Sequence, residues 1–163
     1  MNFDLRLFAR GVERTSGMNR TVAICRAVLA VSAAFVLVGC GSENPFDHVQ
    51  IRGAVTYQDG SPIPGHRVQV TFIPQRDPLD AKTHPKNGYT DLGSEGQTGI
   101  ITSYKYGDGV VRGKHKVVVL SLTAEDTPTS AVPKEYWSEQ TTPLEIDTAD
   151  SPFELKVRRP TPK

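Results

Sequence analysis

A cysteine stands where an apolar run ends, and its thiol is the first side chain along the sequence that invites chemistry. The run from Ala27 to Val38 reads AVLAVSAAFVLV, and Cys40 follows it after one glycine. Its twelve residues reach about 18 Å as a helix, which is short of the ~30 Å hydrocarbon core of a bilayer. Arg20 and Arg26 precede the run. A positive flank before a short apolar segment is typical of a secretory signal peptide, so the thiol is expected at a membrane surface.

The sequence Leu37-Val38-Gly39-Cys40 resembles the lipobox of bacterial lipoproteins. The resemblance implies diacylglyceryl transfer to the Cys40 sulfur, cleavage before Cys40, and acylation of the new amine by a fatty acid such as palmitate. The alternative is an ordinary buried or free cysteine after a hydrophobic helix. Each buried CH₂ contributes about 0.8 kcal/mol, so two or three acyl chains on one residue would hold the protein firmly on a membrane.

These features divide the sequence into a signal peptide at 1–39, a lipidated cysteine with its tether at 40–48, a folded body at 49–157 and a flexible tail at 158–163. Met18 opens a complete signal peptide by itself, so residues 1–17 are either a misassigned start or an extended positive segment. Cys25 is expected to leave with the signal peptide, so no disulfide is predicted. Gly41 favours the outer membrane under the sorting rule of some bacteria, and the inner membrane stays open.

The charge balance argues against nucleic acid as a partner. After Cys40 the chain holds 14 Lys and Arg against 16 Asp and Glu, a net charge of about −2. A mixed body without a basic cluster lacks the surface that binds phosphate backbones. The membrane, reached through lipid on Cys40, is the expected partner, together with an envelope protein or a polysaccharide.

Other side chains give weaker chemical signals. The four histidines, His48, His66, His84 and His115, have no metal-ligand spacing, and no G-x-S-x-G nucleophile motif is present. No metal site and no cofactor are therefore expected. Four aromatic residues suit a platform for sugars or peptides, with core and loop packing as the alternative. They are Tyr104, Tyr106, Tyr136 and Trp137.

The elements that must position these groups are strands. Alternation of apolar and polar residues predicts one strand over 49–57 and another over 66–74, with Val68, Val70 and Phe72 facing inward. Asp59-Gly60 between them is typical of a tight hairpin turn. Three consecutive valines within 114–122 indicate a central strand covered on both faces, or a strand strongly favoured by β-branching. Further strands are expected at 88–91, 99–106, 144–147 and 153–157. Seven short strands separated by turn signals predict an all-β sandwich.

The segment IRGAVTYQDGSPIPGHRVQVTFIP contains the patterns G-x-V-T, D-G-x-P-x-x-G and V-x-V-x-F-x-P, and T-D and G-D-G-x-x-x-G-x-H-x-V-x-V follow up to Val119. With these patterns, residues 50–157 resemble the carboxypeptidase regulatory-like, transthyretin-like domain. The resemblance implies a seven-stranded, immunoglobulin-like or prealbumin-like sandwich. Residues 91–99 depart from the family pattern, which puts the register of that strand in doubt.

The function expected from these observations is that of a lipid-anchored cell-envelope protein, on the periplasmic or outer-membrane face, whose sandwich is a non-catalytic module for binding or structure. Transthyretin-like hydrolases of hydroxyisourate end in Tyr-Arg-Gly-Ser, whereas this chain ends RRPTPK. An envelope hydrolase or metal-dependent enzyme with a site built from the loops at 75–86 and 124–142 is the alternative. A subunit that docks through an exposed edge strand is a third hypothesis.

Overall fold

The structure is a computed structural model of the chain, and it describes residues 44–161. Regular structure in this part consists of short strands and two 3-10 helices, Lys134–Tyr136 and Thr148–Asp150. The strands are β1 (His48–Val49), β2 (Gly53–Tyr57), β3 (Arg67–Pro74), β4 (Gly88–Asp91), β5 (Val110–Val111), β6 (Lys114–Leu122), β7 (Glu145–Asp147) and β8 (Phe153–Val157). The described body is all-β, which confirms the predicted class.

The strands form three sheets. The largest has the order β4-β3-β6-β7 with antiparallel neighbours throughout. A second sheet pairs β2 with β8 in parallel, so that Gly53 lies opposite Phe153. The third pairs β1 with β5. A parallel pair needs a long connection, and here that connection contains all four strands of the largest sheet.

The predicted alternation in β3 is confirmed, because Val68, Val70 and Phe72 are buried while their neighbours are half-buried. In β6 the valines at 117, 118 and 119 are all buried, and the strand lies between β3 and β7. The prediction of a central strand there is therefore confirmed. Strands covered on both faces read as continuous apolar runs.

The core contains residues from both main sheets. Phe72 of β3 and Phe153 of β8 are buried, with their ring centroids 5.8 Å apart in an edge-to-face arrangement. Val55 and Val157 from the β2–β8 pair and Val119 from β6 are fully buried in the same cluster. Each such side chain contributes about 1.5–3 kcal/mol on removal from water, so this contact holds the two sheets together.

Two sequence predictions about β2 are corrected. The strand expected over 49–57 is broken at Gln50–Arg52, because Val49 pairs with β5 whereas Gly53 pairs with β8. The turn at Asp59-Gly60 forms, with the Gly60 N–H donating to the Tyr57 carbonyl at 2.9 Å. It is not a hairpin turn, since β2 and β3 lie in different sheets.

The strand predicted at 99–106 is also wrong. This segment makes one isolated bridge, between Thr102 and Tyr89 of β4, and then curls into a turn. The carboxylate of Asp108 accepts hydrogen bonds from three successive backbone N–H groups there, which a strand would present in alternating directions. Hydrogen bonds from the backbone to a nearby side chain thus replace the backbone–backbone hydrogen bonds of a strand pair.

Both ends of the described body make specific contacts. Phe46 is buried with 4% of its surface exposed, and the Arg112 guanidinium lies 2.7 Å from the Asp47 carboxylate. Residues 44–48, expected as part of the tether, therefore belong to the folded body. At the other end Arg158 pairs with Glu135 and Arg159 with Asp59, so the first two residues of the expected flexible tail are held by ion pairs.

Candidate functional site

A groove of about 880 Å³ lies on the outer face of the β2–β8 pair. Two of the most exposed large apolar side chains in the described residues line it: Ile100 with 57% and Tyr106 with 83% of their surfaces exposed. Contiguous exposed apolar surface with a polar rim is a feature of interaction sites. The polar lining residues are Gln50, Arg52, Gln97, Thr98 and Glu154.

The floor of the groove is low because its central residue is small. Ala54 of β2 lies opposite Glu154 of β8 on one side and opposite Gln97 on the other. Since Val55 points into the core, the alternation of a strand turns the Ala54 methyl outward. A short side chain between two long polar ones leaves a hollow that is open to solvent.

The wall of the groove is a turn held rigidly by side-chain bonds. The Gln50 amide donates to the carbonyls of Ile101 at 3.1 Å and of Gly107 at 2.7 Å. Asp108 accepts from the N–H groups of Ser103, Tyr104 and Lys105 at 2.8–3.0 Å. Ile100 and Tyr106 are thus presented to solvent by a braced backbone.

The electrostatics of Asp108 agree with this bracing. Burial by itself would raise the pKa of the Asp108 carboxyl, but the three backbone N–H donors outweigh burial and lower its pKa from the ordinary value. A carboxylate that accepts several N–H bonds is favoured in its charged form. The turn that carries Tyr106 therefore depends on an ionised Asp108.

The structure does not gather the four predicted aromatic residues into one platform. Tyr106 lines the groove, whereas the Tyr104 ring is held between the Lys86 ammonium, 4.5 Å from its centroid, and the His48 ring at 5.1 Å. Tyr136 is buried, and its hydroxyl accepts from the Arg158 N–H. The Trp137 indole donates to the Val132 carbonyl at 2.9 Å and lines a separate hollow of about 630 Å³.

The proposed lipidation site lies outside the described residues. Leu37, Val38, Gly39 and Cys40 all precede Asn44, where the description begins. Within the described part, no helix is long and apolar enough to cross a membrane.

The histidines do not converge. Among residues 44–161 no group of three or more His, Cys, Asp or Glu side chains is placed to hold a metal ion. His115 is buried: its Nδ1 lies 3.0 Å from the Gly113 carbonyl oxygen, and its Nε2 has no hydrogen-bond partner within the described part of the chain. Burial lowers the pKa of this imidazole. The ring packs edge-on against Phe72, with centroids 6.5 Å apart, so it is part of the core.

Sequence reasoning missed most of the groove. Ile100 was expected in a strand, and Ala54 and Gln97 carried no chemical signal. One sign was present: neighbouring isoleucines point in opposite directions along an extended segment, so Ile100 and Ile101 cannot both face one core. Ile101 is fully buried and Ile100 is exposed.

Comparison with known proteins gives no relative: no family model matches the chain, and no curated protein and no solved structure matches it either.

Proposed function

We propose that this chain is a lipid-anchored protein of the bacterial cell envelope whose β-sandwich is a non-catalytic binding module. The anchor is acyl chains on Cys40, placed by the lipobox Leu37-Val38-Gly39 after a short apolar segment. The binding site is the groove beside Ile100 and Tyr106. A peptide or glycan of the envelope suits a shallow site with one exposed aromatic ring and polar edges.

The proposed fold is a transthyretin-like sandwich of the immunoglobulin-like or prealbumin-like kind. Support comes from the four-stranded sheet that packs through Phe72 on the β2–β8 pair. Residues 96–98 extend this pair, since the Val55 N–H donates to the Gly96 carbonyl and the Thr98 N–H to the Gly53 carbonyl, both at 2.9 Å.

The observation that carries the binding role is the combination of exposure and rigidity at Tyr106. Tyr106 is 83% exposed, while the backbone on either side is bonded by Gln50 and Asp108. An ordinary surface loop has few such bonds and bears polar side chains. A fixed apolar side chain loses little entropy when a ligand covers it, which is the advantage of a preformed site.

Two measurements test the proposal. Intact mass of the chain purified from bacterial membranes should match a protein that begins at Cys40 with added acyl groups, and Cys40→Ser should abolish fatty-acid labelling. A chain that still begins upstream of Cys40, with a free thiol, would contradict the anchor.

For the groove, a photo-crosslinking phenylalanine analogue at Tyr106 should capture a discrete adduct in living cells. The same analogue at Tyr89, which is 46% exposed on β4, is the matched control. Ala54→Trp fills the floor from the solvent side and should remove the adduct without unfolding the domain. Equal adducts at both tyrosines, or an adduct that Ala54→Trp leaves unchanged, would contradict a binding site here.

A further inference from the structure

The point at which the chain enters the domain is fixed. Phe46 is buried, the Arg112 N–H donates to the Asp47 carbonyl at 2.8 Å, and β1 pairs with β5 immediately afterwards. The ring of Phe46 also lies under the Arg76 guanidinium, whose central carbon is 5.8 Å from the ring centroid. The contacts of the fold therefore extend to Asn44, the first described residue, and this is their limit.

This limit sets how far the domain lies from its anchor. The inference rests on the proposed lipidation of Cys40, which is four residues before Asn44 in the sequence. Four residues span at most about 14 Å when fully extended. The end of the domain near Asn44 must then stay within that distance of the acylated cysteine, at the level of the lipid headgroups.

We propose that this end of the domain, the entry face, docks on anionic phospholipid headgroups. The entry face comprises Phe46, Arg76, Lys86, Tyr104, Lys105 and Arg112. The strand register places Arg76 and Arg112 at one end of the sheet, because β3 ends at Pro74 opposite His115 near the start of β6. Lys86 lies at the same end, since β4 begins at Gly88 opposite Phe72. Phe46 contacts Arg76, and Tyr104 contacts Lys86.

Three of the four cations of the entry face lack an ion-pair partner among the described residues, the exception being Arg112. Among the described residues, Arg76, Lys86 and Lys105 have no carboxylate within ion-pair distance, whereas Arg67 pairs with Asp126 at 2.7 Å, and Arg158 and Arg159 are also paired. Arg76 and Lys86 are instead positioned over the aromatic rings of Phe46 and Tyr104. Three unpaired cations thus lie at the end that the anchor would hold near phosphate groups, although other cations, such as Lys134, also have no ion-pair partner within residues 44–161 and lie elsewhere.

Most of the carboxylates near the entry face already bind a cation or backbone N–H groups. Asp47 pairs with Arg112, and Asp108 accepts three backbone N–H groups. Asp80 accepts from the Lys82 and Thr83 N–H groups within its own turn. Asp77 is exposed beside Arg76. Phosphate oxygens are the acceptors that the remaining guanidinium and ammonium groups fit, and Tyr104 has the amphipathic ring that favours the interface.

Each cation of the entry face is expected to make a separate, additive contribution to the free energy of docking. Each Lys or Arg close to an anionic bilayer contributes about a fivefold change in the binding equilibrium. The tether supplies a high effective concentration of membrane, so a few cations suffice to bias the docked state.

The test uses the mature lipidated protein in vesicles. Its mass is measured first, and a single cysteine is introduced for a fluorophore, since no other thiol remains after acylation and cleavage. Ala81→Cys lies in the loop between β3 and β4, and Ala124→Cys lies in the turn after β6; both alanines are exposed. The nine residues of β6 separate the two ends by about 26 Å.

Lipids carrying a nitroxide on the headgroup should quench the Ala81→Cys label strongly in phosphatidylglycerol-containing vesicles and leave the Ala124→Cys label at background. Lys86→Gln should reduce the docked-to-undocked ratio about fivefold. Lys134→Gln is the matched control, because this exposed lysine also lies over an aromatic ring, that of Trp137 at 5.9 Å. It should have no effect.

The outcomes separate the two proposals. An acylated mass with equal quenching at both labels would overturn the entry face and leave the anchor intact. An acylated mass with Ala81→Cys quenching that is indifferent to phosphatidylglycerol and to Lys86→Gln would overturn the role of the cations. A non-acylated mass would overturn the proposed function, and the inference would fall with it.

Discussion

Replacing Asp108 by asparagine should unfold the turn that carries Tyr106. The Asp108 carboxylate accepts the N–H groups of Ser103, Tyr104 and Lys105 at 2.8, 2.9 and 3.0 Å. Asparagine retains one acceptor oxygen and places an NH₂ group where the second oxygen stood. Whichever way the amide lies, at least one N–H donor would then face another donor and the charge would be lost, so Asp108→Asn should be nearly as harmful as Asp108→Ala.

The expected magnitude follows from the number and type of these bonds. A hydrogen bond to a charged group contributes about 1.5–3 kcal/mol, and three bonds to one carboxylate are not additive. A loss of about 3 kcal/mol in the free energy of unfolding is therefore expected for either variant. For a domain of this size that loss lowers the melting temperature by roughly 12 °C.

The pH dependence gives an independent check. The pKa of Asp108 is lower in the folded protein than its ordinary value, so the unfolded chain binds the proton more tightly. The stabilisation is fully present above the ordinary carboxyl pKa of about 3.9 and is lost as the pH falls through the lower folded value. Asp108→Asn should remove this part of the acid transition.

Urea unfolding followed by circular dichroism at pH 7 and at pH 3 measures both effects. Asp77→Asn is the control, because Asp77 is exposed and lies outside the braced turn. It should leave the unfolding free energy within about 0.5 kcal/mol of the wild-type value. An Asp108→Asn protein of wild-type stability at pH 7 would refute the claim that the carboxylate holds the turn.

Two further predictions concern the core. Burial lowers the pKa of His115, so its neutral form stabilises the fold above the ordinary histidine pKa of about 6.5, and that contribution is lost as the pH falls. The free energy of urea unfolding should therefore change less between pH 7.5 and pH 5 in His115→Phe than in the wild type. A Cβ at Gly53 would lie 2.5 Å from the Phe153 carbonyl oxygen, whereas a Cβ at Gly60 would face open space, although Gly60 has a φ of +83°. Thermal unfolding should therefore show a loss of about 2–3 kcal/mol in stability for Gly53→Ala and about 1 kcal/mol for Gly60→Ala. The reverse order would contradict the packing of β2 on β8.

The strands that sequence reasoning placed correctly are those with strong local patterns. β3 alternates over its whole length, and β6 carries three consecutive valines, so each is defined by its own side chains. Which strands pair with each other was harder to predict from the sequence. β2 lies beside β8, which begins at Phe153, one hundred residues further along the chain than its partner Gly53. No local pattern records such a contact, and an Asp-Gly turn after β2 suggested a hairpin that does not form.

The segment at 99–106 was misread for a different reason. Ile100, Ile101 and Tyr104 are residues that favour strands, yet the backbone follows the Asp108 carboxylate and the bend at Gly107, whose φ is +73°. The preference of a residue for strands reflects how its side chain packs on a pleated sheet, and stronger local hydrogen bonds can outweigh it.

The groove illustrates how a site arises from residues that individually carry no signal. Its floor joins Gln97, Ala54 and Glu154 from three separate segments, and its wall is a turn fixed by Gln50. Burial of Ile101 already anchors the turn to the core, so nothing in folding requires an isoleucine rather than a polar residue beside it at 100. An exposed isoleucine forgoes about 2 kcal/mol of burial until something covers it. A rigid turn that holds this side chain next to an exposed tyrosine is therefore better explained by contact with a ligand than by the stability of the fold.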